Sequence, residues 1–259
     1  MPHSATTCPS LALGRIAGAL ALGVAALLGP NLALAQAGPA VVARAPDTLE
    51  QRVLACTSCH ARKGSPDPFF PRISGKPAGY LYNQLINFRE GRRQYPLMNY
   101  IVAQLPDAYL KEIADYYSAQ HLAPPPVQPV DVGAAVLERG RVLVTQGDPA
   151  LKVPACVACH GERLTGVAPA IAGLAGLPRD YINAQFGNWR NHTRRASEPD
   201  CMGVVANRLS LADVNAVSSW IAQRPLPADF TPAESVARPL PIACGSAPEM
   251  PSPNAPSPK

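Results

Sequence analysis

The sequence predicts an all-α fold made by tandem duplication of one small helical unit. A string of five residues, Cys56-Thr-Ser-Cys59-His60, returns as Cys156-Val-Ala-Cys159-His160 at an offset of 100. Apolar residues around each copy recur at helical spacing, and no segment alternates convincingly with period two. Weaker matches extend the repeat. Pro71-Arg-Ile-Ser-Gly75 returns as Pro169-Ala-Ile-Ala-Gly173. Tyr80-Leu-x-x-Gln84-Leu-x-x-Phe88-Arg89 returns as Tyr181-Ile-x-x-Gln185-Phe-x-x-Trp189-Arg190 at an offset of 101. Met98 and Leu105 return as Met202 and Leu209 at an offset of 104, and Ile113-x-x-Tyr116-Tyr as Val217-x-x-Trp220-Ile.

In chain order, Arg15 precedes an apolar run from Ile16 to Leu28, then Gly29-Pro30 and the small-residue site Ala33-Leu34-Ala35. This reads as a secretory signal peptide over residues 1–35. An uncleaved anchor is the competing reading, but the run is shorter than the roughly 20 residues a span needs. The mature chain is therefore expected to be soluble and exported to the periplasm.

The first unit covers 45–121 and the second 133–224. Helical spacing predicts Leu49–Cys56 and Ala134–Thr145 just before each Cys-x-x-Cys-His. A further helix begins after a Pro-Gly turn at Pro77-Ala-Gly-Tyr80 and runs to Glu90, with Tyr80, Gln84 and Phe88 on one face. Leu110–Gln120 and Leu211–Gln223 close the units, with Asp107 and Ser210 as caps. Between the units, residues 122–132 form a stiff Pro-rich linker. The tail, 225–259, is dominated by Pro, Ala and Ser. It is expected to lie over the surface as far as Cys244 and to be disordered beyond.

Of seven cysteines, Cys8 leaves with the signal and four sit in the two repeated strings. Cys201 and Cys244 remain, an even pair in an oxidising compartment, and are expected to bond to each other. A free thiol, or Cys201 as a metal ligand, is the rival reading. The precursor charge is +5, and removal of Arg15 leaves +4. No basic run with interleaved aromatics is present, so nucleic acid is not the expected partner.

Cys-x-x-Cys-His is a haem c attachment string. Its thiols add across the haem vinyl groups, and the adjacent imidazole becomes the proximal iron ligand. The string also suits a zinc knuckle or a thioredoxin-like pair. Both fit poorly, because His follows each string directly and the two strings lie 100 residues apart in separate repeats. Two covalent haems are expected, on Cys56, Cys59, Cys156 and Cys159, with His60 and His160 as axial ligands. Candidates for the sixth ligand are Met98 or His121 in the first repeat and Met202 or His192 in the second. Only the methionines occupy matching places, each in a loop before the last helix of its unit. Imidazole plus thioether gives a low-spin iron with no open position, and the soft sulfur raises the potential. Pro71 and Pro169 are expected to orient the imidazoles through their carbonyls. Tyr80, Phe88, Tyr181 and Trp189 would pack on the haem edges, and Arg89 and Arg190 would face propionates. Plain helix packing or a solvated charge is the alternative for each of these.

On these residues the chain resembles the di-haem cytochrome c4 family, exported proteins of two class I cytochrome c domains. The family pattern Cys-x-x-Cys-His, Pro-x-x-x-Gly, Tyr-Leu-x-x-Gln-Leu-x-x-Phe-Arg-x-Gly-x-Arg, then Met before a last helix, is matched from Cys56 to Tyr117. It is matched more loosely from Cys156 to Ile221. The resemblance implies two His/Met haems facing each other across a pseudo-twofold interface. It also implies single-electron transfer between a dehydrogenase or quinol-oxidising complex and a terminal acceptor, with peripheral membrane association as one setting. Three features depart from the pattern. His60 is followed by Ala61, where the second unit has Gly161. Both units are positive, +2 and +3, where family members often have oppositely biased halves. The Cys201–Cys244 pair and the long tail lie outside the core pattern and suggest the cytochrome partner of a particular periplasmic dehydrogenase. An electron carrier rather than an enzyme is the expected function. The competing function is a di-haem oxidoreductase resembling thiosulfate dehydrogenase, with Cys201 as a haem ligand. A peroxidase would need a vacant or His-closed haem, which the matched methionines argue against, and a non-redox metal or structural module fits least.

Overall fold

In a computed structural model, the described residues are 47–60, 69–121, 126–127, 129–248 and 250. They hold ten α-helices and a few isolated β-bridges, with no strand among them. The helices are α1 (Leu49–Arg52), α2 (Leu54–His60), α3 (Ala78–Arg89), α4 (Pro96–Val102) and α5 (Asp107–Ser118), then α6 (Ala134–Thr145), α7 (Val157–His160), α8 (Arg179–Arg190), α9 (Cys201–Arg208) and α10 (Leu211–Ala222). The second five repeat the first five in order. The signal segment, Ala61 and part of the linker (122–125 and 128) lie outside the described residues, as do residues 251–259.

Two apolar cores form, one per repeat. The first gathers Leu81, Phe88, Val102, Leu110, Ile113 and Tyr117 from the inward faces of α3, α4 and α5, with Val53 from the junction of α1 and α2. The second is larger and adds α6, whose Leu143 and Val144 pack on α10 through Val214, Val217 and Ile221. Each such side chain contributes about 1.5–3 kcal/mol when taken from water. α6 and α10 approach closely because Gly140 offers no side chain. A Cβ there would run into the Ala216 carbonyl and lie 2.8 Å from Trp220 Cβ.

Several local expectations are corrected. The helix read as Leu49–Cys56 is broken at the fully buried Val53, and α2 then runs through the Cys-x-x-Cys-His string itself. Asp107 is the first residue of α5 rather than its cap; Pro106 stands at the cap, and the Asp107 carboxylate pairs with Arg89 at 2.6 Å. Ser210 does cap α10, in a reciprocal box with Asp213. Met98 and Met202 sit on the short helices α4 and α9, not in loops. Pro96 at the first turn starts α4, and the Asp200 carboxylate accepts from Gly203 N to start α9. The tail is no mere surface layer up to Cys244. Leu240, Ala247 and Met250 are buried with Val167, Ala170 and Ile171 in a third apolar cluster.

Candidate functional site

Each helix that carries a Cys-x-x-Cys-His string opens its cysteines and histidine onto one large apolar cavity. The first cavity has an empty volume of about 1570 Å³ including its mouth, and Cys56, Cys59, His60, Phe88 and Met98 line it. The second, of about 1450 Å³, is lined by Cys156, Cys159, His160, Trp189 and Met202. The expected thiols, imidazole and thioether are thus brought to one cavity in each repeat. Neither Cys56 with Cys59 nor Cys156 with Cys159 is joined as a disulfide. Burial pushes the Cys156 thiol up to about 12 and Cys159 to about 11, and raises Cys56. A redox-active dithiol or a zinc site needs the opposite, a stabilised thiolate.

Both imidazoles are oriented from behind. His60 Nδ1–H donates to the Pro71 carbonyl at 2.8 Å, and His160 Nδ1–H to the Ala172 carbonyl at 2.7 Å. Because a carbonyl can only accept, this fixes the tautomer and leaves Nε2 with its lone pair. Burial holds both histidines below their ordinary pKa, so they are neutral and able to ligate.

Ala172, not Pro169, is therefore the acceptor in the second repeat. The register through this loop is an offset of 101, which aligns Pro71 with Ala172 and the left-handed glycines Gly75 and Gly176, at φ 72° and 75°. Pro169-x-Ile-x-Gly173 matched Pro71-x-Ile-x-Gly75 by composition, three residues out of register. The Pro169 carbonyl instead accepts from Tyr80 N at 3.2 Å, tying the second repeat to the start of α3.

Arg89 and Arg190 are also corrected, since neither lines a cavity. Arg89 donates to the Leu105 carbonyl at 2.9 Å and Arg190 to the Leu209 carbonyl at 2.5 Å, so each pins the segment before the last helix of its unit. Among the cations that do line the cavities, which include Arg72 and Lys76 in the first and Arg195 in the second, Arg93 and Arg194 are the pair related by the 101-residue offset. Arg93 lies over the Phe88 ring at 4.5 Å and Arg194 over the Trp189 ring at 3.9 Å. Arg93 donates to Gln84 Oε1, Tyr181 Oη and Gln185 Oε1, each at 2.9 Å. Arg194 donates to Gln185 Oε1 at 2.7 Å and Gln84 Oε1 at 3.1 Å. Among the described residues every partner of this pair is neutral. Burial, with Arg93 alongside, drives Arg194 down to about 10. The signal for Arg93 was present in Phe88-Arg-x-Gly-x-Arg93, but sequence reasoning spent it on the nearer Arg89.

Tyr80, Gln84, Tyr181 and Gln185 line both cavities and so separate them by a single layer of side chains. Backbone pairs close the same seam: Gln94 N to the Thr193 carbonyl at 2.8 Å, and Arg195 N to the Arg92 carbonyl at 2.7 Å.

Haem fits these residues. A planar macrocycle needs an apolar slot, two thiols, an imidazole with a free Nε2 and donors for two carboxylates. The buried Trp189 Nε1 finds no acceptor among the described residues, and the Arg93–Arg194 pair finds no anion there. Cys201 is joined to Cys244 with an S–S distance of 2.06 Å, so its sulfur is not a free thiolate for iron.

No family model matches the chain. It is 35% identical over 196 residues to a thiosulfate dehydrogenase electron acceptor of Thiomonas intermedia, covering 75% of this chain and 88% of that protein. It is 30% identical over 178 residues to cytochrome c4 of Pseudomonas aeruginosa, covering 66% and 85%. Among solved structures, reduced cytochrome c4 from Pseudomonas stutzeri superposes with a TM-score of 0.55 at 29% identity, over 67% of this chain and 95% of that one. The thiosulfate dehydrogenase (TsdBA) of Marichromatium purpuratum gives 0.58 at 35% identity, over 66% of this chain and 36% of that one.

Proposed function

Because the chain belongs to the di-haem cytochrome c4 family, electron-transfer proteins with two covalently bound haem c groups, we propose that His60 with Met98, and His160 with Met202, are its axial iron ligands. Each haem supplies a one-electron Fe(III)/Fe(II) couple. The residues around it decide what the couple can do. With imidazole and thioether both held by the iron, a bound haem would have no place for a substrate and would favour the ferrous state. Cys56 and Cys59, and Cys156 and Cys159, hold the macrocycle edge. Tyr80, Tyr181, Phe88 and Trp189 would exclude water from a bound haem, and Arg93 and Arg194 would be the cations available to neutralise its carboxylates. Domains at 45–121 and 133–224, joined by the linker 122–132, would each hold one haem.

The observation that carries this reading is the same set of four ligating side chains, two thiols, an imidazole and a thioether, lining each of two adjoining cavities. Met98→Ala and Met202→Ala should each abolish half of the weak near-infrared sulfur-to-iron band and lower one midpoint potential. An unchanged spectrum and midpoint would overturn the assignment.

The relatives named as electron acceptors of thiosulfate dehydrogenase support a thiosulfate-oxidising dehydrogenase as donor. Two adjoining haems suit such a donor, because they take up a pair of electrons and release them singly. A purified dehydrogenase of that kind, supplied with thiosulfate, should reduce both haems, whereas thiosulfate alone should not. The basic start, apolar run and Ala33-Leu34-Ala35 read as a leader over residues 1–35 support a periplasmic site, and protein sequencing should then find the mature N-terminus at Gln36.

A further inference from the structure

The two cavities are not closed alike. In the first repeat Met98 is partly buried against the core, but its α4 neighbours are open to solvent: Leu97 is 46% and Tyr100 83% exposed. At the offset of 104 that relates Met98 to Met202, the counterpart of Leu97 is Cys201, and Cys201 is bonded to Cys244 of the tail. The tail is itself anchored at three places. Ala168 N donates to the Ala233 carbonyl at 2.8 Å and Ala233 N to the Gly166 carbonyl at 2.9 Å, beside the loop that follows His160. Leu240 and Ala247 are buried against Val167 and Ile171. Gly245 N donates to the Pro199 carbonyl at 2.9 Å, and a Cβ at Gly245 would meet the Glu198 carbonyl and lie 2.6 Å from that of Ser197. Between these anchors Leu240, Ile242 and Cys244 line the second cavity together with Met202. The Asn83 amide of α3 donates to the Ser246 carbonyl at 2.9 Å, so the first repeat grips the tail as well.

We propose that residues 233–248 form a strap, locked by the Cys201–Cys244 disulfide, that positions Met202 and closes the second haem against exogenous ligands, leaving the first as the more open of the two. This rests on the His160/Met202 ligation proposed above. α9 has only eight residues, too short to hold itself in place by helix stability alone. A cross-link next to the sulfur restricts the opening that would carry it away from the metal, and raises its effective concentration there. An external ligand can bind only the opened form, so its apparent affinity scales with the fraction open.

The test uses the full-length holoprotein with Cys201→Ser and Cys244→Ser together. Imidazole is titrated into the oxidised protein, and the two haems are told apart by the methionine methyl resonances of the reduced protein, assigned through Met98→Ala. Imidazole should bind the second haem about tenfold or more tightly than in the unaltered protein, with the first haem unchanged. Equal affinity at the second haem, or an equal change at both, overturns the strap. Absence of the Met202 resonance in the unaltered protein overturns the ligand reading and the strap with it, whereas its presence with unchanged imidazole affinity overturns the strap alone. Should the double variant lose haem during folding, the disulfide of the folded ferrous protein is cut with a phosphine and alkylated, and carbon monoxide replaces imidazole. Faster carbon monoxide binding at the second haem supports the strap, and an unchanged rate overturns it.

Discussion

At the scale of the residue, the site is decided by what each buried polar group lacks. Among the described residues Trp189 Nε1 has no acceptor and the Arg93–Arg194 pair has only neutral partners, and all three line the cavities, where they would suit haem carboxylates. Removing one cation raises the negative potential felt by the iron and so favours Fe(III). Arg194→Gln should therefore lower the midpoint of the second haem by on the order of 50 mV, the one-electron equivalent of about 1 kcal/mol. Spectroelectrochemistry measures it, and a shift upward would contradict the assignment. The same scale shows why the imidazole acceptor was misread in one repeat. A carbonyl belongs to every residue, so its position depends on loop register and not on side-chain identity. Pro71 and Ala172 serve the same purpose and share nothing in sequence.

At the scale of the element, α6 and α10 were legible, α5 was read as Leu110–Gln120 where it runs Asp107–Ser118, and the short helices were not legible. α6 and α10 follow apolar periodicity over three turns, and the predicted ranges agree with the observed ones to within a residue. α4 and α9 are seven and eight residues long, too short for a periodic pattern to separate them from loops. Gly140 makes a further point about helices. A glycine inside a helix costs about 1 kcal/mol relative to alanine, yet here alanine would collide with α10. Gly140→Ala should destabilise the second repeat by about 2–3 kcal/mol through overpacking, lowering its denaturation midpoint while the spectrum of the first haem persists. A gain in stability would show that the helices can part without loss.

At the scale of the whole molecule, the two repeats are held together by more than the connecting chain. Lys76 of the first repeat donates to the Gly173 carbonyl of the second at 2.8 Å. Burial, helped by the nearby Arg72 cation, pushes its amine from 10.5 down to about 8. Between these values the unfolded chain keeps a proton that the folded chain has released, so stability should rise with pH across that window, while below it the burial cost of the charged amine is fully present and constant with pH. Chemical denaturation at pH 7.5 to 10.5 should show this rise, less that of other groups, as the difference between the unaltered protein and Lys76→Met. A difference that falls with pH would reverse the sign and refute the shift. Charge acts at this scale too. Both repeats are positive, so the protein presents no opposed halves to steer a partner.

The duplication, the helical class, the two Cys-x-x-Cys-His strings and the matching places of Met98 and Met202 could all be read without coordinates, because each is a matter of spacing along the chain. The sequence also singled out Cys201 and Cys244 by elimination. That the tail joins the second cavity, that Arg93 and Arg194 line the cavities while Arg89 and Arg190 do not, and that Pro169 serves the seam between repeats came from the folded chain. Those outcomes depend on which surfaces come together once two copies of one unit pack against each other, and no periodicity within a single copy encodes that.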